Sequence, residues 1–317
     1  MLLFLFVISL MIGSNGIDFN DISKLVSFDE RFMIILEEIR LPRSLAACLV
    51  GGALGLSGVI MQGVLKNPLA SPFTLGVSQA GAFGASFAII VLQSYNSAFI
   101  NSTFLTTICA FVASLICVGI ILYFGKFTAM RAESLILAGV AIGATFGAGT
   151  MFLQYFADEV DVSATIFWTF GDLAKGDISH SLILAVVLFP SVWFFYRIFW
   201  KFDALMLGNE SAVNLGISVV RLRIVAMVVS SLLSALAVAF FGIIGFIGLI
   251  APHIVRLLVG HSHKYVIPLS VISGAILLLG ADIVARTILS PLVVPVGIFT
   301  SFIGAPLFLY LLSRRAK

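Results

Sequence analysis

Charged side chains sit in short clusters between long apolar stretches, and this spacing gives most of the chain one suitable solvent, hydrocarbon. There are 18 Lys or Arg and 15 Asp or Glu in 317 residues, while 61% of the chain is hydrophobic. A soluble core of this composition would leave too little polar surface to face water. A membrane β-barrel would show alternating segments of about ten residues, not continuous apolar runs. The expected fold class is therefore all-α, a polytopic membrane protein forming a single transmembrane domain over residues 1–317.

About 20 apolar residues carry a helix across the hydrocarbon core. Apolar runs begin near Met1, Arg43, Pro72, Thr103, Ser134, Ile178, Val220, Gly242, Val266 and Val296, which predicts about ten transmembrane helices. From Ile224 to Val255 no residue is charged over 32 positions. As one helix this run would be about 48 Å long, too long for a bilayer, so Gly242 and Gly245 are read as the turn that divides it. Met1 to Ile12 is short enough for a signal-peptide core but lacks a basic start and a small-residue cleavage site. It is read as a short first span.

Ten spans place the N- and C-termini in the cytoplasm and put 12 of the 18 basic residues on the inside, as the positive-inside rule favours. Lys24, Arg31, Arg40, Arg43, Lys175 and Arg286 remain outside, whereas among the acidic residues only Glu133, Asp203 and Glu210 lie inside. Cys48, Cys109 and Cys117 all fall within spans and read as small core residues, not as disulfide partners or metal ligands.

A ten-span protein suggests a transporter, and uphill transport needs a driving reaction. The chain has no G-x-x-x-x-G-K-[ST] phosphate loop, so it does not bind ATP in that way. A proton-coupled secondary transporter would need ionisable groups inside the membrane. The candidates are His253 and the Asp282/Arg286 pair. The i,i+4 spacing of that pair suits a structural ion pair, and His253 follows Pro252, where a lost backbone hydrogen bond gives the imidazole a local task besides proton transfer. Gly55-Leu56-Ser57-Gly58 has the G-x-S-G form of an intramembrane serine hydrolase, with His253 as the candidate base. Gly51, Gly52, Gly55 and Gly58 also make a small-residue stripe of the kind that packs membrane helices. Gly139, Gly143 and Gly147 make a second stripe, read either as packing or as pore lining.

Two inside loops stand out. In LKNPLASPFTLGVSQAGAFG, Pro68 and Pro72 break helix while Asn67 and Ser71 can cap, which fixes a rigid corner. FDALMLGNESAVNLGISVVRLR, centred on residues 203–219, reads as one or two short surface helices. Such helices are either passive at the interface or a docking element for a cytoplasmic partner.

The strings RLPRSLAACLVGGALGLSGVIMQGVLKNPLASPFTLGVSQAGAFG, LILAGVAIGA, FWTFGDL, LGNESAVNLGI, GFIGLIAPHIVRLLVG, ADIVAR and PVGIFTSFIGAPLFLYLL follow one another from about Arg40 to the C-terminus. In this order they resemble the permease subunits of iron-siderophore, haem and vitamin B12 ABC importers, the type II importer permease fold. The resemblance implies a non-enzymatic, multi-pass subunit of a bacterial or archaeal cytoplasmic membrane, moving a metal chelate, with an iron(III)-siderophore as the first expectation. It implies a second copy or a sister permease, two ATPase subunits that hold the ATP and Mg, an extracytoplasmic substrate-binding protein, surrounding lipid, no nucleic acid and no cofactor on this chain. By the same resemblance, Asn67 and Leu69 sit at the cytoplasmic gate. Leu207, Gly208, Asn209, Glu210, Ala212, Leu215 and Gly216 couple to the ATPase. Arg40, Arg43 and Arg286 receive acidic residues of the binding protein. Val293 stands where the family commonly has a Glu in P-x-E-x-P-V-G, and the family's basic N-terminal stretch is missing or very short.

Overall fold

The computed structural model describes residues 1–13, 16–17, 30–93 and 102–315. Uninterrupted apolar sequence becomes helix because hydrocarbon offers no partner to a free backbone N–H or C=O. The helices are α1 (Leu2–Met11), α2 (Glu30–Ile35), which runs through a π-turn at Leu36–Arg40 into α3 (Leu41–Leu65), and α4 (Val77–Phe87), extended by a π-turn at Ala88–Leu92. Then follow α5 (Ser102–Phe127), α6 (Ala132–Tyr155), α7 (Glu159–Thr169) and α8 (Ile178–Arg197). The short α9 (Phe199–Met206) and α10 (Asn209–Asn214) precede α11 (Val219–Phe241), α12 (Ile247–Val259), α13 (His263–Thr287) and α14 (Val296–Arg315). Among the described residues, the one strand pairing joins Ile12–Gly13 to Gly16–Ile17.

Among the described residues, six helices are long and apolar enough to cross a membrane: Met33–Leu65, Thr103–Phe127, Ala132–Tyr155, Ile178–Arg197, Val219–Phe241 and His263–Thr287. Three further apolar runs form the shorter helices Leu2–Met11, Val77–Leu92 and Ile247–Val259, and the last falls on α14, where Val296–Leu307 is apolar. Each of the ten apolar runs thus carries a helix among the described residues, and α14 in full is 20 residues long, the same as Ile178–Arg197. The break expected near Gly242 is present. The chain leaves α11 at Gly242, with φ 77°, and α12 begins after Phe246, with φ 65°.

Helix α3 lies at the centre, with almost every side chain buried. Its glycine stripe is what lets neighbouring backbones come so close. A Cβ on Gly51 would overlap the carbonyl of Gly274, and one on Gly55 that of Ser270, both on α13. One on Gly58 would overlap the carbonyl of Gly248 on α12. Ser57 Oγ donates to the Ser230 carbonyl at 2.9 Å. The G-x-S-G string is therefore helix packing, and its hydroxyl is committed to a backbone acceptor.

The second stripe divides. Gly139 packs on Leu75 and Gly143 on Gly76, which seats the corner between α3 and α4 against α6, whereas Gly147 has nothing within 4 Å of a built Cβ.

Candidate functional site

The segment between α8 and α11 forms two short helices, as one of the sequence readings expected. Gly208 (φ 133°) and Gly216 (φ 77°) occupy backbone conformations that disfavour other residues, and they bracket α10. Ala212 is buried and anchors this helix, while the apolar Leu207, Val213 and Leu215 are 75%, 59% and 59% exposed. Glu210 is exposed beside them. Helix α9 is tied to the start of α13 through Asp203, which accepts from the backbone N–H of His263 at 2.8 Å and lies 2.7 Å from its Nδ1. The pair of helices is thus a rigid platform with greasy side chains turned outward.

At the same end, α3 finishes with Lys66 in the left-handed region, at φ 50°. Burial, then the charge of Arg223, pushes the Lys66 ammonium below its ordinary pKa. Asn67 Oδ1 accepts from the Leu69 N–H at 2.8 Å, and Ser71 and Thr74 bond each other's backbone, so the corner is rigid as expected. Leu69 is half-exposed. A polar cavity of about 490 Å³ separates this corner from α6 and α10, lined by Lys66, Asn67, Arg131, Glu133, Asn209 and Arg223 among others.

At the opposite end, two of the three arginines expected to face an external protein, Arg43 and Arg286, turn inward. Arg43 Nε donates to Asp282 Oδ1 at 2.9 Å, and its Nη2 lies 3.5 Å from Asp172. Arg286 pairs with Asp282 Oδ2 at 3.0 Å and donates to Ser9 Oγ at 2.6 Å and the Ile12 carbonyl at 3.0 Å. Arg43, Asp282 and Arg286 are all buried. Arg40, half-buried, donates to the carbonyls of Leu10 and Met11 at 3.0 and 3.2 Å. Close α3–α13 packing brings Arg43 onto Asp282, and the free carbonyls at the end of α1 draw in the other two guanidinium groups. Lys175 donates to the carbonyls of Phe167, Trp168 and Phe170 at 2.8 to 3.0 Å. Burial pushes its ammonium pKa down, with Asp172 opposing. Val293 is exposed in the loop before α14. Lys24 and Lys317 lie outside the described residues.

Sequence reading singled out neither Arg223 nor the Asp203–His263 link. The one available signal for Arg223 was its place at the edge of the charge-free run starting at Ile224.

A profile of the FecCD transport family matches residues 1–314. The chain belongs to the FecCD transport family. An ABC transporter permease protein of Methanocaldococcus jannaschii is 48% identical over 90% of this chain and 83% of its own length. The Fe(3+)-citrate import system permease of Bacillus subtilis is 37% identical over 100% of this chain and 93% of its own. A solved inward-facing structure of a metal-chelate type ABC transporter superposes with a TM-score of 0.87 at 32% identity, covering 99% of this chain and 96% of that one. As an FecCD-family member, the chain is a membrane permease of the ABC class, and its exposed apolar helices belong in lipid or against other subunits.

Proposed function

We propose that this chain is the permease subunit of an ATP-driven importer that takes a metal chelate, an iron(III)-siderophore in the first instance, from an external binding protein across the cytoplasmic membrane. Two permease copies, or one with a sister permease, would enclose the path, and two ATPase subunits would supply the energy. The similarity to an iron-citrate permease supports the cargo class. The observation that carries the reading is the outward display of Leu207, Val213 and Leu215 on a platform fixed by Ala212 and Asp203. Exposed apolar side chains beside an exposed Glu210 suit a cleft in a soluble subunit better than bulk water. Leu207 to Gly216 then forms the coupling element. Asn67 and Leu69 form the cytoplasmic gate, and Gly147 on α6 is the member of its stripe left free to line the path.

The proton-coupled alternative is weaker because Asp282, buried inside α13, is already paired with two guanidinium groups. Leu215→Asp tests the coupling reading. A charge forced into the subunit contact without a partner costs several kcal/mol. The expected result is loss of co-purification with the ATPase while membrane insertion stays normal. An intact complex with normal transport would reduce α10 to a passive interfacial helix.

A further inference from the structure

Arg223 sits one turn inside α11 and is only 4% exposed, and its guanidinium reaches three segments distant from one another in the chain. Nε donates to the Val64 carbonyl at 3.1 Å, Nη1 to the Met130 carbonyl at 2.8 Å, and Nη2 to Asn209 Oδ1 at 3.3 Å. Each partner has a reason to need it. Val64 holds one of the last four carbonyls of α3, which lack an intrahelical donor. Met130 closes the turn between α5 and α6, where Ala129 and Met130 both have positive φ (50° and 54°). Asn209 is the first residue of α10.

We propose that Arg223 is the positioning residue that carries movement of α10 to the gate. This rests on the reading of Leu207 to Gly216 as the coupling element. The planar fork of arginine holds three acceptors in fixed directions at once, which the single ammonium of lysine does not. Two of the three acceptors belong to the walls of the gate: Val64 lies three residues before Asn67, and Met130 lies two before α6, whose Gly139 and Gly143 seat the Leu75–Gly76 corner. The third acceptor is the only side chain of the three and belongs to α10 itself, so it is the leg through which a shift of α10 pulls on the guanidinium. The cavity of about 490 Å³ between these parts gives the corner room to move. A displacement of Asn209 therefore reaches the α3 terminus and the α6 start through one rigid group.

The test uses the full complex with its ATPase, in lipid, with the native cysteines replaced and reporter thiols introduced singly by Leu69→Cys at the gate and Glu210→Cys on the coupling helix. In the otherwise unaltered chain, both reporters should change their labelling rate on adding ATP. In Arg223→Lys, the Glu210→Cys reporter should still respond, the Leu69→Cys reporter should not, and uptake per ATP should fall about tenfold, the effect of losing one hydrogen bond to a charged group. Asn209→Ala, which leaves Arg223 both carbonyl partners, should give the same loss at the gate, and Asn209→Asp, which keeps an acceptor, should restore the response. A full Leu69→Cys response in Arg223→Lys or in Asn209→Ala overturns the proposal. No response of Glu210→Cys in the unaltered chain overturns the coupling reading itself.

Discussion

Arg40, Arg43 and Arg286 are three cations of one kind with different freedom. Arg43 and Arg286 share the carboxylate of Asp282 in a buried triad, so either one is held by the loss its partner would suffer. Removing one member of a buried ion pair costs about 3 to 5 kcal/mol. Arg43→Glu should therefore lower the yield and thermal stability of the folded permease, because it sets a second carboxylate beside Asp282. Arg40 is half-buried and bonds carbonyls at the end of α1, so it remains nearest to a surface that an external protein could meet. Rim contacts of this type act mainly on association rate and salt dependence. Arg40→Glu should weaken association with the binding protein and flatten its dependence on ionic strength. An affinity unchanged from low to high salt would confine Arg40 to holding α1. The i,i+4 pairing of Asp282 with Arg286 was legible from spacing alone. The partnership with Arg43 was not, since those residues lie 239 positions apart and meet only because two glycine faces touch.

Between elements, glycine decides which helices can meet. Gly51 and Gly55 let α3 lie against α13 with carbonyl groups where side chains would otherwise stand. Gly55→Val should force the helices apart or distort them, an overpacking cost of about 1 to 3 kcal/mol or more. Detergent-solubilised protein should show it as a lower unfolding temperature. Gly147→Ala, with open space at its Cβ position, should leave that temperature unchanged, so an equal loss in both variants would refute the contact argument. These stripes could be read from sequence because the helical period puts small residues on one face, and so could the turn residues bounding α10. Which half of the Gly139, Gly143, Gly147 stripe packs could not be read, because that depends on where the Leu75–Gly76 corner lands. Arg223 was hidden for a similar reason. Its partners lie 159, 93 and 14 positions away, and two of them are backbone carbonyls that carry no residue signature.

For the whole molecule, the question is where free energy for uphill movement enters. The chain has no phosphate loop, and among the described residues the buried Asp282 is held between two arginines and Arg223 among three acceptors. What it does present is an apolar, well-braced helix pair at the end carrying Lys66, Arg131 and Arg223, suited to receive motion from a subunit outside the membrane. Energy should then arrive mechanically rather than as a proton through this chain. In vesicles holding the permease, its ATPase and the external binding protein, chelate uptake should require ATP on the ATPase side and fall to the passive leak without it. Collapsing the proton gradient with an uncoupler should leave the rate unchanged. Uptake by the permease alone, without the ATPase and abolished by the uncoupler, would place the driving force inside this chain and overturn the assignment.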